Sequence, residues 1–158
     1  MTESRLPLLA VILSGAGLVP FFITALGAVR HNPPDSTLDA LALITYSAVV
    51  LSFVGGVHWG FVLEGEQEPA ERERLVLGVL PGLIGWGAAL LGLLLHPTLA
   101  IALLIAGFIG TAIIEARGRR RELVPHGYMI MRWALTVVVV VILTTVLGVR
   151  AIGGSLIF

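Results

Sequence analysis

LVLGVLPGLIGWGAALLGLLLHPTLAIALLIAGFIGTAII, residues 75–114, is a run of 40 residues without a single Asp, Glu, Lys or Arg. A helix needs about 20 apolar residues to cross the ~30 Å hydrocarbon core of a bilayer. The run is therefore long enough for two crossings and has to fold back once. His96-Pro97-Thr98 marks the place, because proline is tolerated in the first turn of a new helix and poorly inside an old one. The stretch predicts a tight helical hairpin over 75–95 and 97–116.

Outward from this hairpin, residues 6–29 and 40–63 are two runs of 24 residues free of the same four charged types, and 133–149 adds 17 more. The last run reaches span length when 129–131 join it, with Arg132 snorkelling toward the headgroups. The expectation is an all-α polytopic membrane protein, a single domain over residues 1–158. It is a bundle of five transmembrane helices at roughly 7–29, 38–63, 75–95, 97–116 and 129–149. The first run is longer than the roughly 7–15 apolar residues of a signal peptide, so it reads as a retained helix. Loops at 30–37 and 64–74 are too short to fold as domains, and no internal repeat of the transporter kind stands out.

Composition agrees with this reading. Of 158 residues, 57% are hydrophobic and 13% charged, with a mean hydropathy of +0.99, whereas a soluble domain carries about a quarter charged residues. Ten Arg balance ten Asp and Glu, with no Lys. That leaves no basic excess of the kind nucleic acid selects. Without cysteine, disulfides, thiolate catalysis and Cys-ligated metals are excluded. The all-Arg usage with abundant Gly, Ala and Val points to a GC-rich bacterial genome. With five spans, Arg5, Arg72, Arg74, Arg117, Arg119, Arg120, Arg121 and Arg132 share one side, and Arg30 and Arg150 the other. The positive-inside rule then places the N-terminus in the cytoplasm and the C-terminus in the periplasm of a bacterial inner membrane.

The second span is the most informative. Ala48, Ser52, Gly56 and Gly60 recur every four residues, a row of small side chains where another helix can approach closely in lipid. Packing inside the chain, a homodimer and a contact with another membrane protein all use such a row, and Gly56→Leu is expected to force the contact apart. His58 lies off this row, about 9 Å along the helix from Glu64. An intramembrane ionisable group is a functional candidate by default, although a neutral His donating to a neighbouring carbonyl is the plainer role. Topology puts His58, Glu115, Tyr128 and Arg132 at one face as a candidate polar site; helix rotation decides whether they meet. Trp59, Trp86 and Trp133 are candidate ligand contacts or interfacial anchors. Pro20 and Pro81 are expected kinks, Pro20 freeing a carbonyl for Tyr46 or Thr24. No metal motif, nucleophile elbow or phosphate loop occurs, so no metal and no catalytic residue is assigned.

The stretch from Tyr46 to Gly60, ending Ser-Phe-Val-Gly-Gly-Val-His-Trp-Gly, resembles the domain-of-unknown-function family 3429, which is transmembrane protein 69-like in animals. Gly17-Leu18-Val19-Pro20-Phe21, Gly78-Val79-Leu80-Pro81 with Trp86, and Tyr128 with Arg132, Leu135 and Thr136 look like the same family. Gly127 stands where relatives often carry an aromatic residue before the tyrosine. The resemblance implies a multi-pass inner-membrane protein and supplies no reaction.

Three roles are compatible with these features. A non-catalytic accessory or assembly subunit of a larger membrane complex leads, because the loops are small and no catalytic set is present. A small-molecule or ion pathway through a cytoplasmic-side polar cavity is the alternative, as is a protein that binds lipid or quinone. The expected partners are the lipid bilayer and either a membrane protein or a second copy of the chain. No cofactor is required, a bound lipid or quinone being the compatible exception.

Overall fold

The computed structural model describes residues 8–30, 34–64, 71–118 and 126–155, with side chains described at 8–30, 34–60, 75–117 and 129–152. Among the described residues six helices follow one another: α1 Leu8–Ala16, α2 Val19–Arg30, α3 Asp35–Glu64, α4 Glu71–Leu94, α5 Pro97–Gly118 and α6 His126–Ser155. Among the described residues, five stretches are long and apolar enough to cross a membrane: Leu8–Arg30, Asp35–Gly60, Leu75–Leu94, Pro97–Arg117 and Met129–Ile152. The chain is an all-helical, multi-pass membrane protein. Its outward faces suit lipid: Phe53 is 75% exposed and Trp86 65%.

The helix expected over 7–29 is two helices. α1 ends at Ala16 and α2 restarts at Val19, with Leu18 N–H bonded to the Gly15 carbonyl at 3.0 Å in the turn between them. Pro20 lies in the first turn of α2, where its missing N–H costs least. The Tyr46 hydroxyl on α3 donates to the Gly17 carbonyl at 2.8 Å, and Thr24 donates to Pro20 O at 2.7 Å. A break inside a span survives only when side chains take up the freed backbone groups. Tyr46 also meets Phe21 edge-on, ring centroids 5.1 Å apart.

The α4–α5 turn is short. His96 N–H bonds to the Leu91 carbonyl at 2.9 Å, the six-to-one bond of a helix C-cap, and Pro97 opens α5. α3 packs against α2, α4 and α5, while α6 closes on α5 and α2. Phe21, Leu43, Ile44, Leu51, Ile101, Leu104, Phe108, Leu143 and Val146 form the buried core.

The α3–α4 contact is the most extensive in the bundle, and it takes up Ala48 and Ser52 of the small-residue row but not Gly56 or Gly60. A Cβ at Gly85 would lie 2.8 Å from the Ala48 carbonyl oxygen, and one at Gly55 would lie 2.5 Å from the Gly78 carbonyl oxygen. Gly78 in turn is covered by the Trp59 indole. Gly56 and Gly60, by contrast, face outward, and among the described residues nothing lies within 4 Å of where their Cβ atoms would stand. The reason is helical pitch: a step of four residues overshoots one turn by about 40°, so the row drifts off the interface. The seam runs Ala48, Ser52, Gly55, Trp59 instead. Pro81 lies inside α4, which continues through it; it is buried with its ring beside Gly55.

Candidate functional site

Successive spans alternate in direction, so the C-terminal ends of α3 and α5 meet the N-terminal ends of α4 and α6. Among the described side chains, three ionisable ones turn inward at that end: His58 from α3, Glu115 from α5 and Arg132 from α6. They are 1%, 2% and 2% exposed. His58 Nε2 lies 3.3 Å from Glu115 Oε1, and Arg132 Nε lies 3.2 Å from Glu115 Oε2. One carboxylate thus serves two nitrogen bases, one oxygen each.

The rest of the guanidinium is also occupied. Arg132 Nη2 donates to Thr111 Oγ1 at 2.9 Å and Nη1 donates to Thr136 Oγ1. Each threonine hydroxyl passes its own proton down its helix, Thr111 to Gly107 O at 2.8 Å and Thr136 to Arg132 O at 2.7 Å. Glu115 sits in the last turn of α5, where the helix dipole opposes a negative charge. Support for the carboxylate therefore comes from Arg132, across the helix pair. With an uncharged imidazole the three groups sum to zero charge, which is what a low-dielectric interior requires.

Thr111 is not among the candidates read from the sequence, and Thr136 enters there only through the family resemblance. The available signal was spacing: each lies four residues from a charged residue, one turn deeper into its span, so its hydroxyl shares that residue's face. The side chain of Tyr128 lies outside the described residues. Among the described residues no three of His, Cys, Asp or Glu come together as a metal site would require.

The three tryptophans do not converge with this cluster. Trp59 is 46% exposed and Trp133 37%, and both face outward while His58 and Arg132 face in. Trp86, more exposed still, lies farther along the outer side of α4. A site combining all three indoles with His58 and Arg132 is therefore not assembled within the chain. Trp59 instead lines a shallow apolar groove with Leu75, Val76, Val79, Leu80 and Leu83 on the outer side of α3 and α4. At the opposite end of the bundle, Arg150 donates to Ser36 O at 3.1 Å, and the Asp39 carboxylate packs directly on Gly27.

The chain belongs to a family described as "Protein of unknown function (DUF3429)", whose model matches residues 6–148. His58, Glu115 and Arg132 all fall within that range. The chain is similar to "Transmembrane protein 69" of Xenopus tropicalis, with 36% identity over 85 residues, 51% of this chain and 32% of that protein. It is similar to "Transmembrane protein 69" of Mus musculus at 36% over 115 residues, 72% of this chain and 44% of that protein. The chain thus spans less than half the length of these curated relatives. No solved structure matches it.

Proposed function

We propose that this protein is a non-catalytic accessory or assembly subunit of a larger inner-membrane complex, with its N-terminus in the cytoplasm. The closed polar cluster carries this reading. The side chains best able to do chemistry are spent on one another, at 1–2% exposure, and they tie α3, α5 and α6 together. A catalytic or transport site would instead present such groups to a space that a substrate can enter.

The surface left for a partner is the outer side of α3. Glycine in a helix interior is unfavourable relative to alanine by roughly 0.5–1 kcal/mol. Gly55, Gly78 and Gly85 offset that cost by close internal contact, and Gly56 and Gly60 do not. A partner helix laid along Gly56 and Gly60 would recover it through close backbone approach.

The test uses the absence of cysteine. Single Cys residues at Gly56 and, as a control, at Phe53 would be cross-linked in native membranes, followed by affinity capture and mass spectrometry. A discrete stoichiometric adduct from position 56 is expected. A clean monodisperse monomer in mild detergent, without adducts from either position, would remove the reading.

A further inference from the structure

The groove on the outer side of α3 and α4 has a volume of about 390 Å³ and is walled by Trp59, Leu75, Val76, Val79, Leu80 and Leu83. It starts where two spans end, since Trp59 stands one residue before the end of Asp35–Gly60 and Leu75 opens Leu75–Leu94. Positions 75, 76, 79, 80 and 83 form one stripe along α4, and at 1.5 Å per residue Leu83 lies about 12 Å deeper than Leu75. Half of a ~30 Å hydrocarbon core is about 15 Å. The groove therefore runs along the bilayer normal through one leaflet. We propose that it is a binding site for a phospholipid, one acyl chain lying along α4 and the headgroup standing at the Trp59 end.

Size selects a hydrocarbon chain over a protein segment. Spread over that depth, the volume corresponds to a mean cross-section of about 30 Å². A helix with its side chains is about 10–12 Å across and fills roughly 80–110 Å². An extended hydrocarbon chain, packed at carbon–carbon contacts of ~3.5–4.0 Å, needs far less. The walls point the same way. Close approach of a partner helix in lipid uses small residues, whereas these walls are Leu, Val and one indole, and the outward Gly56 and Gly60 are not among them.

Lipid tails are as apolar as leucine, so a held chain differs from passing bilayer lipid by the number of atoms it touches. Here two helices enclose it: α4 supplies the aliphatic stripe and α3 supplies the Trp59 indole as a side wall. The indole is seated on Gly78 of α4, where any side chain would push it away. Its N–H is the one polar side-chain group among the walls, and it stands at the end where tryptophan meets headgroups. The site is independent of the accessory-subunit reading, because the partner face runs along Gly56 and Gly60 and a chain without a partner still presents the groove.

The experiment titrates a phospholipid brominated on its acyl chains into the delipidated full chain in mild detergent, bromine quenching an indole only at near contact. W86F/W133F leaves Trp59 as the sole indole. W59F/W133F leaves Trp86, which is 65% exposed and outside the groove. Trp59 emission is expected to fall and level off at equimolar lipid, whereas Trp86 dims only as lipid replaces detergent around the whole bundle. Adding V76F/V79F fills the groove from side chains that are 63% and 46% exposed, so the core is untouched and the saturable quenching of Trp59 is expected to be lost. Equal, unsaturated quenching of both indoles would overturn the proposal, leaving ordinary boundary lipid. So would saturable quenching that persists in V76F/V79F, or Trp59 shielded by a co-purifying isoprenoid or protein segment. Native mass spectrometry of the parent chain needs no variant: an equimolar retained phospholipid supports the site, and a bare chain in the detergent of the titration contradicts it.

Discussion

At the scale of single residues, Arg132 and Glu115 depend on each other more than on any neighbour. Removing one partner of a buried ion pair leaves an uncompensated charge and costs about 3–5 kcal/mol, whereas replacing both with apolar residues is often neutral or stabilising. Glu115→Leu should therefore be strongly destabilising, since Arg132 would keep only the two threonine hydroxyls. Arg132→Leu should cost less, because Glu115 retains His58 as a partner. The double variant should lie closer to the parent than Glu115→Leu does. Reversible unfolding in mixed micelles would check this ordering, and additive losses in the double variant would contradict a shared pair. A milder effect is expected for Tyr46→Phe, which removes the bond to Gly17 O. About 0.6–1.7 kcal/mol is the range for such bonds between membrane helices, read in the same assay.

At the scale of elements, neighbouring glycines on α3 should behave in opposite ways. Gly55→Leu drives a side chain into the backbone of α4 at Gly78 and the ring of Pro81, and neither can step aside without moving the helix. Gly56→Leu points into lipid and should leave monomer stability within about 0.5 kcal/mol of the parent, while abolishing capture of a partner. Gly78→Ala is an intermediate case: the atoms in the way belong to the Trp59 indole, which can swing toward lipid. A shift in Trp59 emission with a small loss of stability is expected there. These distinctions also mark how far the sequence could be read. The α4–α5 turn was legible because an uncharged run of 40 residues admits one fold-back and Pro97 marks it. The ionisable residues of the cluster were legible as candidates because charge within an apolar span is rare and costly. Their meeting was not, since hydropathy carries no information about rotation around the helix axis. The same missing angle hides that Gly55 rather than Gly56 meets α4 and that the three tryptophans are exposed on the outside of the bundle. The break at Gly17–Leu18 was hidden for a different reason: a turn of apolar residues looks like helix until the Tyr46 hydroxyl that satisfies it is in place.

At the scale of the whole molecule, the residues that carried the family resemblance are largely those at which helices touch. Gly17 and Phe21 meet Tyr46, Gly78 and Pro81 meet Gly55, and Trp59 covers Gly78. His58 reaches Glu115, and Arg132 binds Thr136. What unites them is the assembly of one bundle, which suits a scaffold better than a catalyst. Orientation then decides what the bundle presents to each side. Eight of the ten arginines fall on the side that also holds the buried cluster, and Arg and Lys counts in short loops set topology far more than acidic residues do. A cysteine at position 120 should therefore resist a membrane-impermeant maleimide in intact cells and react once the cytoplasmic face is opened. A cysteine at position 32 should react from outside. The opposite pattern would place the cluster beneath the periplasmic face. The same assay bears on the dependence of topology on charge. Replacing Arg117, Arg119, Arg120 and Arg121 by Gln leaves four arginines on that side against two on the other, so the bias falls from eight against two without reversing. Labelling of position 120 should become mixed rather than inverted, because Arg5, Arg72, Arg74 and Arg132 still favour the original orientation.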